Sequence, residues 1–199
     1  MALGLAVVAQ TAAAAGSGFD IKTVSPEVDR AALQKYFQTR FPQSEVSDYV
    51  NGIYAVDASS REQWEELEEF PPYEFAVEEG EALFNMPFAN GKGYEDCFEN
   101  GGIGIRQNYP YWSKEEGMVK TLEMEINECR EDNGEKPLKW GKGQLAKISA
   151  YMAWTSRDKV IEVEIPEDDP RALKAYLAGK QFFYTKRGQL NLSCANCHV

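Results

Sequence analysis

The sequence predicts a mainly α-helical chain built as two tandem units, the second incomplete. Three observations predict it. Apolar side chains recur at helical spacing through most of the 199 residues. A Gly-x-x-x-Phe pattern closes a helical stretch twice, in Gly80-Glu81-Ala82-Leu83-Phe84 and in Gly179-Lys180-Gln181-Phe182-Phe183. Each copy runs on through a loop to a cysteine, Cys97 or Cys194, and after the second only five residues remain.

No charged side chain precedes Asp20. Leu3-Gly4-Leu5-Ala6-Val7-Val8-Ala9, then Gln10-Thr11 and the alanines 12–15, reads as the apolar core and cleavage region of a secretory signal over residues 1–15. The run is too short to span a bilayer and rich in small residues, which sets this reading above a buried apolar helix. The basic residues that open such signals are missing, so its true start is expected upstream. A soluble protein exported to the periplasm follows. Its formal charge of −11 would repel nucleic acid and anionic membrane surfaces, which leaves two readings that charge alone does not separate: a basic protein partner, or acidity that only keeps the protein in solution.

Residues 16–76 read as an N-terminal helical extension. Leu33, Tyr36, Phe37 and Phe41 mark one amphipathic helix, and Val46, Tyr49, Val50, Ile53 and Tyr54 a second. Ser60-Arg61-Glu62-Gln63 has the form of a capping box for a third, acidic helix through Trp64 and Leu67, which Pro71-Pro72 ends. Residues 77–158 form the first unit. Glycine costs about 1 kcal/mol relative to alanine inside a helix, so Gly80 calls for a physical reason, and close crossing by another helix supplies one. The crossing helix is expected over Gln144 to Trp154, where Leu145, Ile148 and Met152 form a stripe beside Tyr151 and Trp154. Between them, Ser113-Lys114-Glu115-Glu116 reads as the start of a helix with Val119, Leu122, Ile126 and Cys129 on one face. The Tyr109-Pro110-Tyr111-Trp112 cluster reads as a packed loop rather than a docking surface. Residues 159–169 form a connector in which Ile161, Val163 and Ile165 alternate with Glu162 and Glu164, as in extended chain. Asp169-Pro170 then opens the second unit, residues 170–199, with aspartate as cap and proline at the first helical position.

The chemistry sits at the end of the chain. In Cys194-Ala195-Asn196-Cys197-His198 the two thiols have the spacing that adds across the vinyl groups of one haem, and the adjacent histidine is placed to ligate its iron. A zinc site would need further ligands, and His198 is the chain's single histidine. A thioredoxin-like redox pair would sit in a βαβ pattern that is absent here. A disulfide across a two-residue spacer would leave the histidine unexplained. The second unit is therefore read as the start of a c-type haem domain carrying one haem c, and the fold as cytochrome c-like. Cys97 occupies the corresponding place in the first unit but continues Phe98-Glu99-Asn100-Gly101, without second cysteine or histidine. That unit reads as a haem-less copy. In an exported chain Cys97 and Cys129 are most simply paired, which would stabilise it by roughly 3 to 4 kcal/mol in the chain-entropy model. Two free buried thiols are the alternative.

Gly91-Lys92-Gly93-Tyr94-Glu95-Asp96-Cys97-Phe98 with Asn100-Gly101-Gly102, then Ile126-Asn127-Glu128-Cys129, then Asn191-Leu192-Ser193 leading into the haem motif, together resemble the SoxA family. These are the larger cytochrome subunits of SoxAX complexes in bacterial thiosulfate oxidation. The resemblance is to the form with one haem, in which a disulfide replaces the N-terminal haem. It implies an L-cysteine S-thiosulfotransferase subunit, with SoxX as partner. Thiosulfate would be joined oxidatively to a cysteine of the carrier protein SoxYZ, and electrons would pass to a small cytochrome c. It also implies His198 as one axial iron ligand and a cysteine persulfide as the other. All four cysteines are already committed, so the distal sulfur is expected beyond Val199. No catalytic residue is named within the chain, which alone is expected to be inactive. The alternative is a monohaem electron-transfer protein without transferase activity, and a weaker one a haem-binding subunit that serves to dock a partner.

Overall fold

A computed structural model describes residues 24–198, so the leader expected at 1–15 lies outside the described residues. The first helix, α1 (Pro26–Arg40), opens as local chemistry dictates: the Ser25 hydroxyl accepts from the Val28 N–H at 3.3 Å, and Pro26 needs no partner for a missing donor. The second stretch is not the amphipathic α-helix that its apolar spacing predicts. Val46–Ala55 winds as 3₁₀ helix and breaks at Gly52, whose φ of 58° interrupts the ladder.

α2 (Ala58–Glu68) starts before the expected capping box. Its cap is Asp57, whose carboxylate accepts from the Ser59 and Ser60 N–H groups at 3.1 and 3.2 Å and from the Ser60 hydroxyl at 2.7 Å. Ser60 is thus a donor to the cap rather than the cap, because the stronger acceptor stands three positions earlier. Trp64 stacks on Tyr54, which ties α2 back to the 3₁₀ segment.

The first unit is organised by α3 (Glu74–Phe84) crossing α5 (Gln144–Trp154). α3 begins inside the residues assigned above to the extension. The helices touch at Gly80, where a Cβ would fall 2.0 Å from the Lys147 carbonyl oxygen, so only glycine admits this approach. Between them the chain departs from expectation. Residues 113–116 do not open a helix: β1 (Tyr111–Ser113) and β2 (Met118–Lys120) form an antiparallel hairpin. The Ser113 hydroxyl accepts from the Glu116 N–H at 3.1 Å and its carbonyl from the Gly117 N–H at 2.8 Å. A serine followed by glutamate three positions on serves a turn as well as a helix, and Gly117 at φ 69° closes the turn. Val119 therefore lies on a strand, and α4 (Leu122–Asp132) begins at Thr121, whose hydroxyl caps it.

Leu122, Ile126 and Cys129 of α4 meet Leu145, Ile148 and Met152 of α5 in one core with Phe84, Phe88, Tyr94, Phe98 and Ile105. Aromatic rings fill its centre: Phe84 stacks on Tyr94 at 5.6 Å and Phe88 meets Tyr94 edge-on at 4.9 Å. The connector 159–169 carries no regular structure, and the Glu162 N–H donates to the Gln107 carbonyl at 3.0 Å. α6 (Pro170–Tyr184) and the single turn α7 (Ala195–His198) complete a mainly helical chain. Among the described residues no helix is long and apolar enough to cross a membrane.

Candidate haem site

The second unit hangs on two polar anchors. At the start of α6 the Asp169 carboxylate accepts from the Arg171 N–H at 2.9 Å and from Trp112 Nε1 of β1 at 2.9 Å. The Arg171 guanidinium also grips Asp169 at 2.9 Å and donates to the Lys114 carbonyl at 3.0 Å. Arg171 together with the cap hydrogen bonds holds the Asp169 carboxyl well below the usual carboxylate range. The Tyr109-Pro110-Tyr111-Trp112 stretch, expected as a packed loop, thus runs into strand β1, whose Trp112 holds the start of the following unit. Farther along, Lys180 Nζ and the Tyr176 hydroxyl donate to Asp29 of α1 at 2.5 and 2.6 Å. Asp29 is shifted down by these two donors, Lys180 first, and Tyr176 up by its burial and then by Asp29.

After α6 the chain reverses in a short turn. The Arg187 N–H donates to the Leu192 carbonyl at 3.0 Å, with Gly188 at φ 71° and Asn191 at φ 49° between them. A second latch follows: Asn196 Oδ1 accepts from the Ser193 N–H at 2.8 Å and from its hydroxyl at 2.9 Å. It holds the turn in which the Cys194 carbonyl accepts from the Cys197 and His198 N–H groups at 3.2 and 3.1 Å. A three-residue separation on such a turn puts Cys194 and Cys197 on the same side.

Both thiols are free and exposed, and His198 beside them is exposed too. From residue 174 to residue 198 no side chain is buried, whereas the first unit closes a core of its own. Phe182, Leu190 and Leu192 stand 63%, 81% and 48% exposed. Two thiols on one face, an imidazole next to them and apolar side chains without cover fit the donor set and the apolar body of a haem. Cys194 and Cys197 would hold it covalently and His198 would supply a nitrogen to the iron. Residues 170–198 also carry Arg171, Lys174, Lys180, Lys186 and Arg187 with no carboxylate at all.

At the corresponding place of the first unit Cys97 is bonded to Cys129, with Cα atoms 5.8 Å apart. Cys129 is buried and Cys97 exposed. Beside the bridge a cavity of about 380 Å³ is bordered by Phe98, Tyr109, Tyr111 and Glu125. Both tyrosine hydroxyls donate to the Glu125 carboxylate. Burial, reinforced by that carboxylate, pushes Tyr109 up and Tyr111 up to about 12. The arrangement offers no imidazole and binds its polar groups to one another.

This clamp predicts an alkaline limit. A tyrosine raised in the folded state stabilises the fold fully below its unfolded pKa of 10.0 and loses that contribution as pH rises through its folded value. Stability is expected to fall between pH 10.0 and about 12. Tyr111→Phe should flatten that fall in denaturant titrations across the window; an identical slope in wild type and variant would contradict the assignment.

Sequence reasoning named Cys194, Cys197 and His198 but missed what positions them. Ser193 and Asn196, three apart, carried a readable capping signal. The Asp169–Trp112 and Asp29–Lys180 anchors are long-range and left no local trace.

Known proteins resemble this chain in the same terms. Residues 79–161 match the family described as SoxA/TsdA, cytochrome c domain. This is the unit without a haem motif. The chain is 50% identical over 179 residues to the L-cysteine S-thiosulfotransferase subunit SoxA of Allochromatium vinosum, covering 90% of this chain and 63% of that one. The SoxA subunit of Chlorobaculum tepidum is 51% identical over 87% of this chain and 59% of its own. The chain thus spans about three fifths of the length of these relatives. The crystal structure of SoxXA from P. pantotrophus superimposes with a TM-score of 0.57 at 27% identity, covering 71% of this chain and 54% of that one. With the helix crossing and the bridged first unit on one side and these matches on the other, the chain belongs to the SoxA family.

Proposed function

We propose that this chain supplies the haem c-bearing part of a thiosulfate-oxidising transferase. It would work with SoxX to join thiosulfate to a cysteine of the carrier SoxYZ and send the electrons to a cytochrome c. The observation that carries this reading is the turn presenting Cys194, Cys197 and His198 on an exposed, carboxylate-free segment of a SoxA-family chain. One haem c per chain is proposed, because the unit of residues 77–158 binds its cysteines to each other and holds no histidine. Export to the periplasm is proposed with it, since covalent haem attachment and a disulfide both belong to an oxidising compartment.

Haem bound here would supply a one-electron redox centre. The residues around it do the rest. Cys194 and Cys197 would hold it covalently through two bonds, and His198 would supply a nitrogen to its iron. Thiosulfate is a dianion, and Lys174, Lys186 and Arg187, the cations of residues 170–198 not paired with Asp29 or Asp169, would raise its local concentration by charge attraction. Joining it to a carrier thiol forms one S–S bond and releases two electrons and the thiol proton.

The test is reconstitution. Haem-loaded protein with SoxX, SoxYZ and thiosulfate is expected to reduce added cytochrome c, with a mass increase on SoxYZ matching one thiosulfate. Reduction of cytochrome c without that increase would favour a plain electron carrier, and no reduction above the control lacking SoxYZ would refute the transferase.

A further inference from the structure

Charge is distributed unevenly along this chain. Ten carboxylates lie between Asp57 and Glu81 against one cation, Arg61, so −9 of the formal −11 is carried by 25 residues. These residues are α2, the Pro71-Pro72 turn and most of α3. Two cations of the α5 region take one carboxylate each: Lys147 pairs with Glu79, and Arg157 with Glu68 at 2.6 Å. Glu65 pairs with Arg61. Glu62, Glu66, Glu69, Glu74, Glu78 and Glu81 are exposed and form no ion pair among the described residues.

An apolar groove of about 560 Å³ runs along this acidic face between α3 and α5. Tyr73, Val77, Ile103, Tyr151 and Trp154 line it, and the rings of Tyr73 and Trp154 lie 5.9 Å apart. The same groove is edged by Glu74, Glu78 and Glu81. With Val77 they occupy positions i, i+3, i+4 and i+7 of α3, a single stripe that adjoins the face where Gly80 meets α5. Beside it in the chain Phe70 and Phe75 stand 87% and 70% exposed. Arg157 already rests over the Trp154 ring at 4.2 Å, so the groove's edge accepts a guanidinium on an aromatic face.

We propose that this groove is a docking site for a basic protein segment, one that places an apolar residue between lysines or arginines. An apolar centre within a charged rim is the usual anatomy of a protein interface, and the sign of the rim selects the partner. A second copy of the same face would bring like charge, and an anionic membrane or nucleic acid would be repelled. The site lies on the haem-less unit, so it is separate from the turn that holds Cys194 and Cys197 and does not depend on the transferase reading.

The probes are two fluorescently labelled peptides of equal charge, Lys-Lys-Leu-Phe-Leu-Lys-Lys and Lys-Lys-Ser-Gly-Ser-Lys-Lys, titrated with the purified haem-loaded protein at low salt. The apolar peptide is expected to bind about tenfold tighter than the polar one. Glu74→Gln/Glu78→Gln/Glu81→Gln should weaken it by about tenfold, and Glu131→Gln/Asp132→Asn on α4 should leave it within about twofold. Trp154→Leu should narrow the preference between peptides, with thermal melts checking that each variant is folded. Equal affinity for both peptides would overturn the proposal. So would equal losses in the groove and α4 variants, or self-association of the protein that displaces the peptide.

Discussion

Replacing Cys194 and Cys197 together with serine is expected to abolish covalent haem while leaving the first unit folded. The reasoning is physical on both counts. A serine hydroxyl does not form the thioether, so haem bound by any weaker contact should leave in acidified organic solvent, which thioether-linked haem survives. Both cysteines are exposed and belong to a stretch with no buried side chain. Their loss removes no packing, and the cooperative melt of the core from Phe84 to Met152 should stay within about 0.5 kcal/mol of wild type. His198→Ala separates the two roles: the haem should remain attached, but its absorption spectrum should change with the loss of an iron ligand. Cys97→Ser should leave haem content untouched, because that cysteine is bonded to Cys129. Haem retained after extraction from the double serine variant would sink the assignment of this site, whatever the activity of the loaded protein.

The turn that carries Cys194, Cys197 and His198 was legible because its pattern is local: the two thiols and the imidazole lie within five residues. The α3–α5 crossing was legible for a related reason. A glycine inside a helical stripe has few explanations, and Gly80 against Lys147 is the one the sequence already demanded. Reading failed where one signal serves two structures. Ser113 with Glu116 is chemically a cap for either a helix or a turn, and only Gly117 at positive φ decides between them. At Ser60 the spacing was correct but the better acceptor, Asp57, lay upstream. In the 3₁₀ segment the apolar period was sound, and Gly52 broke the backbone that it presupposed. What no local reading reaches is the pair of anchors that hang α6 on α1 and β1. Asp29 and Tyr176 are 147 residues apart, Trp112 and Asp169 57, and each is an ordinary surface residue until the chain closes.

The internal repeat yields the second large effect, because its two glycines occupy the same place in two copies but different surroundings. At Gly80 a methyl group would lie 2.0 Å from the Lys147 carbonyl oxygen and 2.7 Å from its carbon. Both are backbone atoms of α5, so no side chain can swing aside; the helices must part along their whole contact. Gly80→Ala is therefore expected to destabilise the protein by about 3 kcal/mol or more, even after the gain in helix propensity, and to lower its melting temperature by roughly 10 °C or more. At Gly179, among the described residues, nothing lies within 4 Å of the added carbon. There only the propensity gain remains, and Gly179→Ala is expected to leave the melt unchanged or raise stability by about 0.5 to 1 kcal/mol. Opposite signs at equivalent positions are the signature of a crossing helix in one unit and none in the other. Paired thermal melts of the two variants would measure it directly. If Gly80→Ala melted with the wild type, the α3–α5 contact would be wider than 2.0 Å implies, and the first unit would lose the crossing on which its helical core is built.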